Sequence, residues 1–405
     1  MSLDQAEPSN RRAPLLSLMV LMTALGVFPL DVILPSFPAL SEHFSAPASN
    51  IAYSVSLFAV GVALSQLALG PLSDRFGRKN VLLAGLFVAS IGSIGCIYSN
   101  DFQIYMTFRL VQAIGCGSFV ISHAIIQDTF TPQHRNSARI LLTTTSGVFI
   151  SLSPLLGSIL QSHWNWPGSF FTFAILSALA ICFSALLLKN SPDSVSTTEA
   201  GIISTYQKIL MNPRFSVYSS ISGITFACHF SFIVVSPILF MDTLGLSANQ
   251  FGLTFMLYGF AYMCGGAFAG LVHRHMTPLQ QMTLGLILIV GSGSILWILS
   301  HHPLTPYTLI IPMIICTAGT TITRPAATSL ALELNPAAAG ASASLLNTFV
   351  FAIGGVISSI IAHFINHLSV TLALSFAGLG ILGLLLIRVL PKEQDDKLHP
   401  SEDRL

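Results

Sequence analysis

Charge is what this sequence has least of. Only 8% of its 405 residues are Asp, Glu, Lys or Arg, against about 25% in a soluble globular domain. The hydrophobic share is 53% and the mean hydropathy +0.75. Those values exclude a soluble enzyme and a disordered chain. A net charge of +1 provides no basic field for a polyanion, which excludes a nucleic-acid partner. Cysteine chemistry is also missing. Cys96, Cys116, Cys182, Cys228, Cys264 and Cys316 each lie in an apolar run without CxxC spacing. They suggest neither a metal site nor a disulfide framework, and read as small buried thiols. No HExxH or embedded Ser/His/Asp constellation marks an enzyme. The tails, 1–13 and 391–405, are too short to hold a receptor's soluble domain.

What is there is a series of long apolar runs. A spanning helix needs about 20 mostly apolar residues. Twelve such segments are expected: 14–35, 50–71, 80–99, 103–127, 138–161, 168–188, 215–240, 249–272, 279–299, 306–328, 338–363 and 368–390. The first resembles a signal peptide behind Arg11 and Arg12, but it continues through Asp31 to Pro35 without a convincing cleavage site.

The cations test this arrangement. Arg11, Arg12, Arg75, Arg78, Lys79, Arg135, Arg139, Lys189, Lys208, Arg214, Arg274, Arg324, Arg388, Lys392, Lys397 and Arg404 all fall on one side. Loops of the other side hold Glu42, Asp101, Asp242, His301 and His302. By the positive-inside rule both termini are expected to be cytoplasmic. The remaining cation, Arg109, lies within the fourth span.

The longest polar interruption, 189–214, divides the chain into a six-helix bundle at 14–188 and another at 215–390. Pro35 and Gly70 at the ends of spans one and two are echoed by Pro237 and Gly270 at the ends of spans seven and eight. A six-plus-six pattern is the mark of a transporter whose binding site lies between two repeated bundles near the membrane midplane.

The segment Gly70-Pro71-Leu72-Ser73-Asp74-Arg75-Phe76-Gly77-Arg78-Lys79 joins spans two and three. Gly70 and Pro71 predict a tight break at the membrane surface. Asp74 among these cations can hold two helix ends in one arrangement and release them in another. The plain alternative is an ordinary positive-inside loop. This segment resembles the loop 2–3 signature of the major facilitator superfamily. Arg109-Leu-Val-Gln112-Ala-Ile-Gly115 resembles that family's embedded Arg motif. Gly147 through Ser153-Pro154-Leu-Leu-Gly157 resembles the Gly/Pro motif of its antiporter branch. Pro29-Leu-Asp31-Val-Ile-Leu-Pro35 is similar to the signature of Bcr/CflA-type drug exporters. Trp164-Asn-Trp166, Phe170 and the run from Pro336 through Ser344 fit the same branch. The second half keeps only Gly270, His273 and Arg274 of a loop signature. The resemblance implies an all-α fold of twelve helices, with spans 1, 4, 7 and 10 lining a cavity. It implies a bacterial inner-membrane monomer without cofactor, driven by the proton gradient. It also implies that Asp128 joins Asp74 and Arg78 in a cytoplasmic gate; plain surface solvation is the alternative for Asp128.

Asp31 is the one carboxylate within a span. A charge in hydrocarbon costs several kcal/mol, so such a residue usually faces a cavity and serves function. It can bind a proton or a substrate in competition; the alternative is a structural Asp before Pro35. Arg109 cannot usefully deprotonate. It can tune an acceptor such as Asp31, or tie helices together, with Gln112 on the same face. Gly147, Pro154 and Gly157 thin or bend span five for a tight helix interface, or simply kink it. His123 and His229 can titrate near neutrality, or serve as hydrogen-bonded core residues. Tyr53, Phe58, Phe119, Phe226, Phe230 and Tyr258 can line an apolar cavity, or face lipid. The expected function is proton-coupled export of small amphipathic compounds. Export of a dedicated metabolite or siderophore on the same fold is the alternative.

Overall fold

Lipid offers backbone groups no hydrogen-bond partner, so an apolar chain of this length must satisfy them within helices. The computed structural model describes residues 12–122, 125–126, 132–188, 202–272, 275–335 and 338–390. Among them are fourteen α-helices and no strand. The first half holds α1 (Arg12–Asp31), α2 (Phe37–His43), α3 (Ala48–Phe76), α4 (Arg78–Ile97), α5 (Phe102–Cys116), α6 (Pro132–Trp164) and α7 (Pro167–Leu187). Then come α8 (Ile202–Leu210), α9 (Pro213–Pro237), α10 (Ala248–Val272), α11 (Pro278–Leu299), α12 (Pro306–Glu333), α13 (Ala339–His363) and α14 (Leu368–Val389). Ten helices among the described residues are long and apolar enough to cross a membrane. The other two long segments stand where expected spans four and five lie. Of these, α5 has only 15 residues, and α6 mixes Ser, Thr, His and Arg into its apolar run.

Large apolar side chains cover much of the described surface. Leu64, Phe87, Phe171 and Leu257 are all at least 60% exposed, a distribution suited to lipid rather than water. Serine and threonine go inside, where Ser118, Ser158 and Thr225 return their hydroxyls to backbone carbonyls of the preceding turn.

Three boundaries differ from expectation. The chain does not break at Gly70-Pro71: α3 runs through Pro71 to Phe76 and stops at Gly77, whose φ of 88° suits glycine. Proline at 71 deprives the Leu67 carbonyl of its helical donor. The Tyr206 hydroxyl of α8 donates to that carbonyl at 3.2 Å. The helix α8 itself stands inside the segment read as a linker. The fourth span, expected as one run through 127, is interrupted: α5 ends at Cys116 and passes into a 3-10 turn, Gly117–Val120, after which 121–122 and 125–126 are helical again. That turn lies so close to α3 that a Cβ on Gly117 would fall 1.8 Å from Ser65 Oγ.

The two halves meet along two seams. In one, α3 lies against α13: Tyr53 Oη meets His363 Nδ1 at 3.1 Å, Ser56 Oγ meets Ser358 Oγ at 2.8 Å, and Ser344 donates to the Gln66 carbonyl at 2.8 Å. In the other, α6 lies against α10. A Cβ on Gly252 would fall 2.8 Å from Ser158 Oγ, and one on Gly259 2.3 Å from Ser151 Cα. Gly266 continues this seven-residue register on nearly the same helix face, and has nothing within 4 Å among the described residues. At the end opposite Gly77 the halves are joined. There the turn Leu34–Ser36 packs on α9 and α10, and α2 packs on the π-helical segment Ile238–Thr243.

Candidate functional site

The helix α1 stops at Asp31, and prolines shape its end. Pro29 lies in its last turn and Pro35 in the turn that follows. A helix end leaves carbonyls without intrahelical donors, and two side-chain donors meet them here. Arg109 Nη2 donates to the Pro29 carbonyl at 3.1 Å, and Ser169 Oγ to the Val32 carbonyl at 3.4 Å. On α6, a Cβ on Gly157 would fall 2.2 Å from that Val32 oxygen. The glycine of the expected antiporter motif thus lets α6 touch the backbone next to Asp31. Within the same motif, Gly147 lies near Met263, while the Pro154 carbonyl lies against Gly252 of α10.

Asp31 is 7% exposed and Arg109 fully buried. Among the described residues they are the only buried carboxylate and guanidinium. Arg109 Nη1 donates to Gln112 Oε1 at 2.7 Å. The guanidinium lies 4.5 Å from the Phe58 ring centroid and 5.8 Å from that of Phe170. Charge-assisted hydrogen bonds and aromatic faces offset the cost of burying it. No ion pair joins Arg109 to Asp31 among the described residues. Its connection to Asp31 runs through the backbone of Pro29, two positions before the acid.

Across the interface, the second half presents a polar chain. Thr317 Oγ1 of α12 donates to Tyr258 Oη of α10 at 3.0 Å, and Tyr258 Oη is bonded to His229 Nδ1 of α9. All three residues are buried. Tyr262 lies against the imidazole at 5.1 Å. Arg324 of α12 rests 5.0 Å from the centroid of Phe226, which stacks on Phe230 at 5.2 Å.

The other expected residues are more dispersed. Phe58 serves as a platform for Arg109. Tyr53 belongs to the α3–α13 seam, and Phe119 lies near Gly26 in the 3-10 turn. In the segment between α3 and α4, Arg78 Nη1 donates to Ser73 Oγ at 2.6 Å, and Lys79 Nζ to the Ala185 carbonyl at the end of α7 at 2.7 Å. Arg75 lies 5.4 Å from the Phe76 ring, and Gly70 faces Ser344 of α13. His123, Asp128 and the side chain of Asp74 lie outside the described residues. A cavity of about 280 Å³ with a mostly apolar lining, including Phe28, Val32, Leu152 and Leu156, lies among α1, α6 and α7.

Sequence reading missed three features. The hydrogen-bonding role of Tyr258 and the presence of Thr317 have no local pattern, since their partners lie far along the chain. Gly252 and Gly259 did leave a signal in their seven-residue spacing, which keeps both on one face of α10.

The profile of the Major Facilitator Superfamily matches residues 16–359. The chain is 26% identical to YdgK of Bacillus subtilis, an MFS-type transporter described as uncharacterized, over 87% of this chain and 89% of that protein. It is 25% identical to multidrug resistance protein D of Escherichia coli over 93% of each. A third relative, multidrug resistance protein MdtL of Citrobacter koseri, is 26% identical over 81% of this chain and 82% of its own. Among solved structures, a D-xylose–proton symporter shares the fold with a TM-score of 0.75 at 15% identity, covering 94% of this chain and 98% of its own. The human organic anion transporter MFSD10 shares it with a TM-score of 0.70 at 18% identity, over 94% and 100%.

Proposed function

The chain belongs to the Major Facilitator Superfamily, a family of multi-pass membrane transporters, and from that premise we propose that it is a proton-coupled antiporter that exports small amphipathic compounds. The observation that carries this reading is the burial of Asp31, the single carboxylate inside the described core, at the end of α1 just before the turn that packs on the second half. An acid there binds either a proton or a cationic group. Exchange follows when the two compete for it. Relatives named as multidrug resistance proteins support export of foreign compounds. The Asp31 and Leu34-Pro35 signature favours the Bcr/CflA-type branch.

In this reading twelve helices span a bacterial inner membrane with both termini in the cytoplasm. Alternating access rocks the two halves about the α3–α13 and α6–α10 seams. Arg109 and Gln112 hold the end of α1, so that Asp31 keeps its place as the halves move. Gly70, Asp74, Arg75, Gly77, Arg78, Lys79 and Asp128 latch the cytoplasmic side. The protein works as a monomer, with the proton gradient as its energy source and no cofactor.

Everted vesicles loaded with a pH-sensitive dye test this function against a panel of lipophilic cations, neutral drugs and zwitterions. Addition of a transported compound is expected to release protons, and Asp31→Asn is expected to abolish that release while the protein remains inserted. Full gradient-driven transport in Asp31→Asn would end the reading.

A further inference from the structure

The walls of the cavity among α1, α6 and α7 say what fits it. Ala24, Phe28 and Val32 line it from α1 at four-residue spacing, which is one helix face. Leu152, Leu156 and Ile159 line it from α6, also at helical spacing. Among the described residues the one polar side chain in its wall is that of Ser153, whose hydroxyl donates to the Phe149 carbonyl. A buried water needs two to four polar partners, so a space of about 280 Å³ lined in this way stays dry. Protein interiors keep few voids larger than one water. Hydrocarbon is the chemistry that fills this one.

Two features identify its source. Leu152, Leu156 and Ile159 are exposed as well as cavity-lining, so the cavity opens on the surface that meets the bilayer. Ala24, Phe28 and Val32 are buried, so it also reaches inward past that surface. The second feature is its length along α1. The rise from Ala24 to Val32 is about 12 Å at 1.5 Å per residue, close to the roughly 15 Å of hydrocarbon in one leaflet.

We propose that an acyl chain of a bilayer phospholipid occupies this cavity and serves as a packing partner of α1. The proposal stands apart from the antiport reading and does not depend on it. One end of the site is closed where Gly157 brings α6 against the Val32 carbonyl, next to Asp31. Phe28 forms part of the inner wall, and Phe173 supports its ring at 6.3 Å. Phe28 also bounds a second, smaller space of about 10 Å³ beside Arg109, Gln112 and Ser169. That ring therefore stands between the lipid chain and the buried guanidinium. Each methylene seated in the cavity supplies contacts that an empty wall would forfeit.

The test uses the full-length protein in vesicles of phosphatidylcholine whose acyl chains carry bromine, with no substrate present. Bromine quenches tryptophan emission only at close range. Trp164, Trp166 and Trp297 are replaced by Phe, and one tryptophan is then introduced at a time. Leu152→Trp reports the mouth of the cavity, Phe28→Trp its inner wall, and Phe232→Trp the core of the second half, where Phe232 is 1% exposed. Emission is expected to fall strongly for Leu152→Trp, nearly as strongly for Phe28→Trp, and hardly at all for Phe232→Trp. Adding Ala24→Leu, which fills the cavity, should relieve at least half of the quenching at Phe28→Trp and leave Leu152→Trp as it was. Phe28→Trp quenched no more than Phe232→Trp overturns the proposal. So does quenching at Phe28→Trp that Ala24→Leu leaves unchanged, because the bromine then acts from the surrounding bilayer. A second arm needs no variant. The unaltered protein is irradiated in phosphatidylcholine whose acyl chains carry a diazirine, and the labelled residues are located by mass spectrometry. Label on Ala24 or Phe28 is expected, and label confined to the exposed leucines of α6 overturns the proposal.

Discussion

In the first half, α4 and α5 meet where a Cβ on Gly115 would fall 2.5 Å from the Gly85 carbonyl oxygen. In the second half, α11 and α12 meet where a Cβ on Gly319 would fall 2.4 Å from the Gly285 carbonyl oxygen. The close approach is repeated, and with it the packing that brings each central helix inward. The groups placed on that packing are not repeated. The first half buries a carboxylate and a guanidinium; the second buries a histidine held between a tyrosine and more aromatic rings. Backbone contact thus constrains both halves alike, while the polar residues are free to differ because each needs only its own hydrogen-bond partners.

The largest effects should come from the shared contact. Gly115→Val and Gly319→Val force branched side chains against backbone that cannot retreat, and each is expected to prevent recovery of folded protein in detergent. Overpacking of a side-chain contact typically costs about 1–3 kcal/mol, and a backbone contact exceeds that range. Folding of one variant but not of the other would show that the halves bear unequal packing loads.

Next in size are the cations, where the halves should diverge. Arg109→Met leaves Gln112 and the Pro29 carbonyl without their donor, at about 1–3 kcal/mol for each buried group. Arg324→Met gives up a half-buried guanidinium over Phe226, worth about 0.5–1 kcal/mol. The thermal midpoint in detergent should therefore fall clearly for Arg109→Met and little for Arg324→Met. Equal shifts would count against an N-terminal site built around a buried charge.

Much of this arrangement was legible beforehand, for reasons that particular residues make plain. The apolar runs located the helices because each membrane-spanning element must be long and continuous. Asp31 and Arg109 were conspicuous because a lone charge in such a run is rare. Hydropathy is blind to the change at Cys116, where the hydrogen-bond period shortens, and to the widened turns at Ile238–Thr243. Pro71 reads as a break in sequence because nothing in its neighbourhood reveals that Tyr206 will meet the carbonyl it orphans. The chain Thr317–Tyr258–His229 depends on three helices meeting, which only the folded interface brings about.

The smallest predicted effects concern the echo that first suggested two halves. Gly70 and Gly270 occupy corresponding places in the sequence, yet Gly70 faces Ser344 at ordinary contact distance and Gly270 has nothing within 4 Å among the described residues. Gly270→Ala is therefore expected to change neither stability nor transport, and Gly70→Ala only slightly. Gly157→Ala is the informative contrast. Its methyl would be driven into the Val32 carbonyl oxygen, displacing the end of α1 at a cost of about 1–3 kcal/mol. Because that end carries Asp31, transport rate should fall by more than the loss of folded protein explains. The comparison is made by dividing vesicle transport by the amount of folded protein for all three variants. Gly157→Ala falling in step with its folded fraction would reduce the glycine to a packing residue. A loss of specific rate confined to Gly157→Ala would tie the α6 contact to the position of the acid.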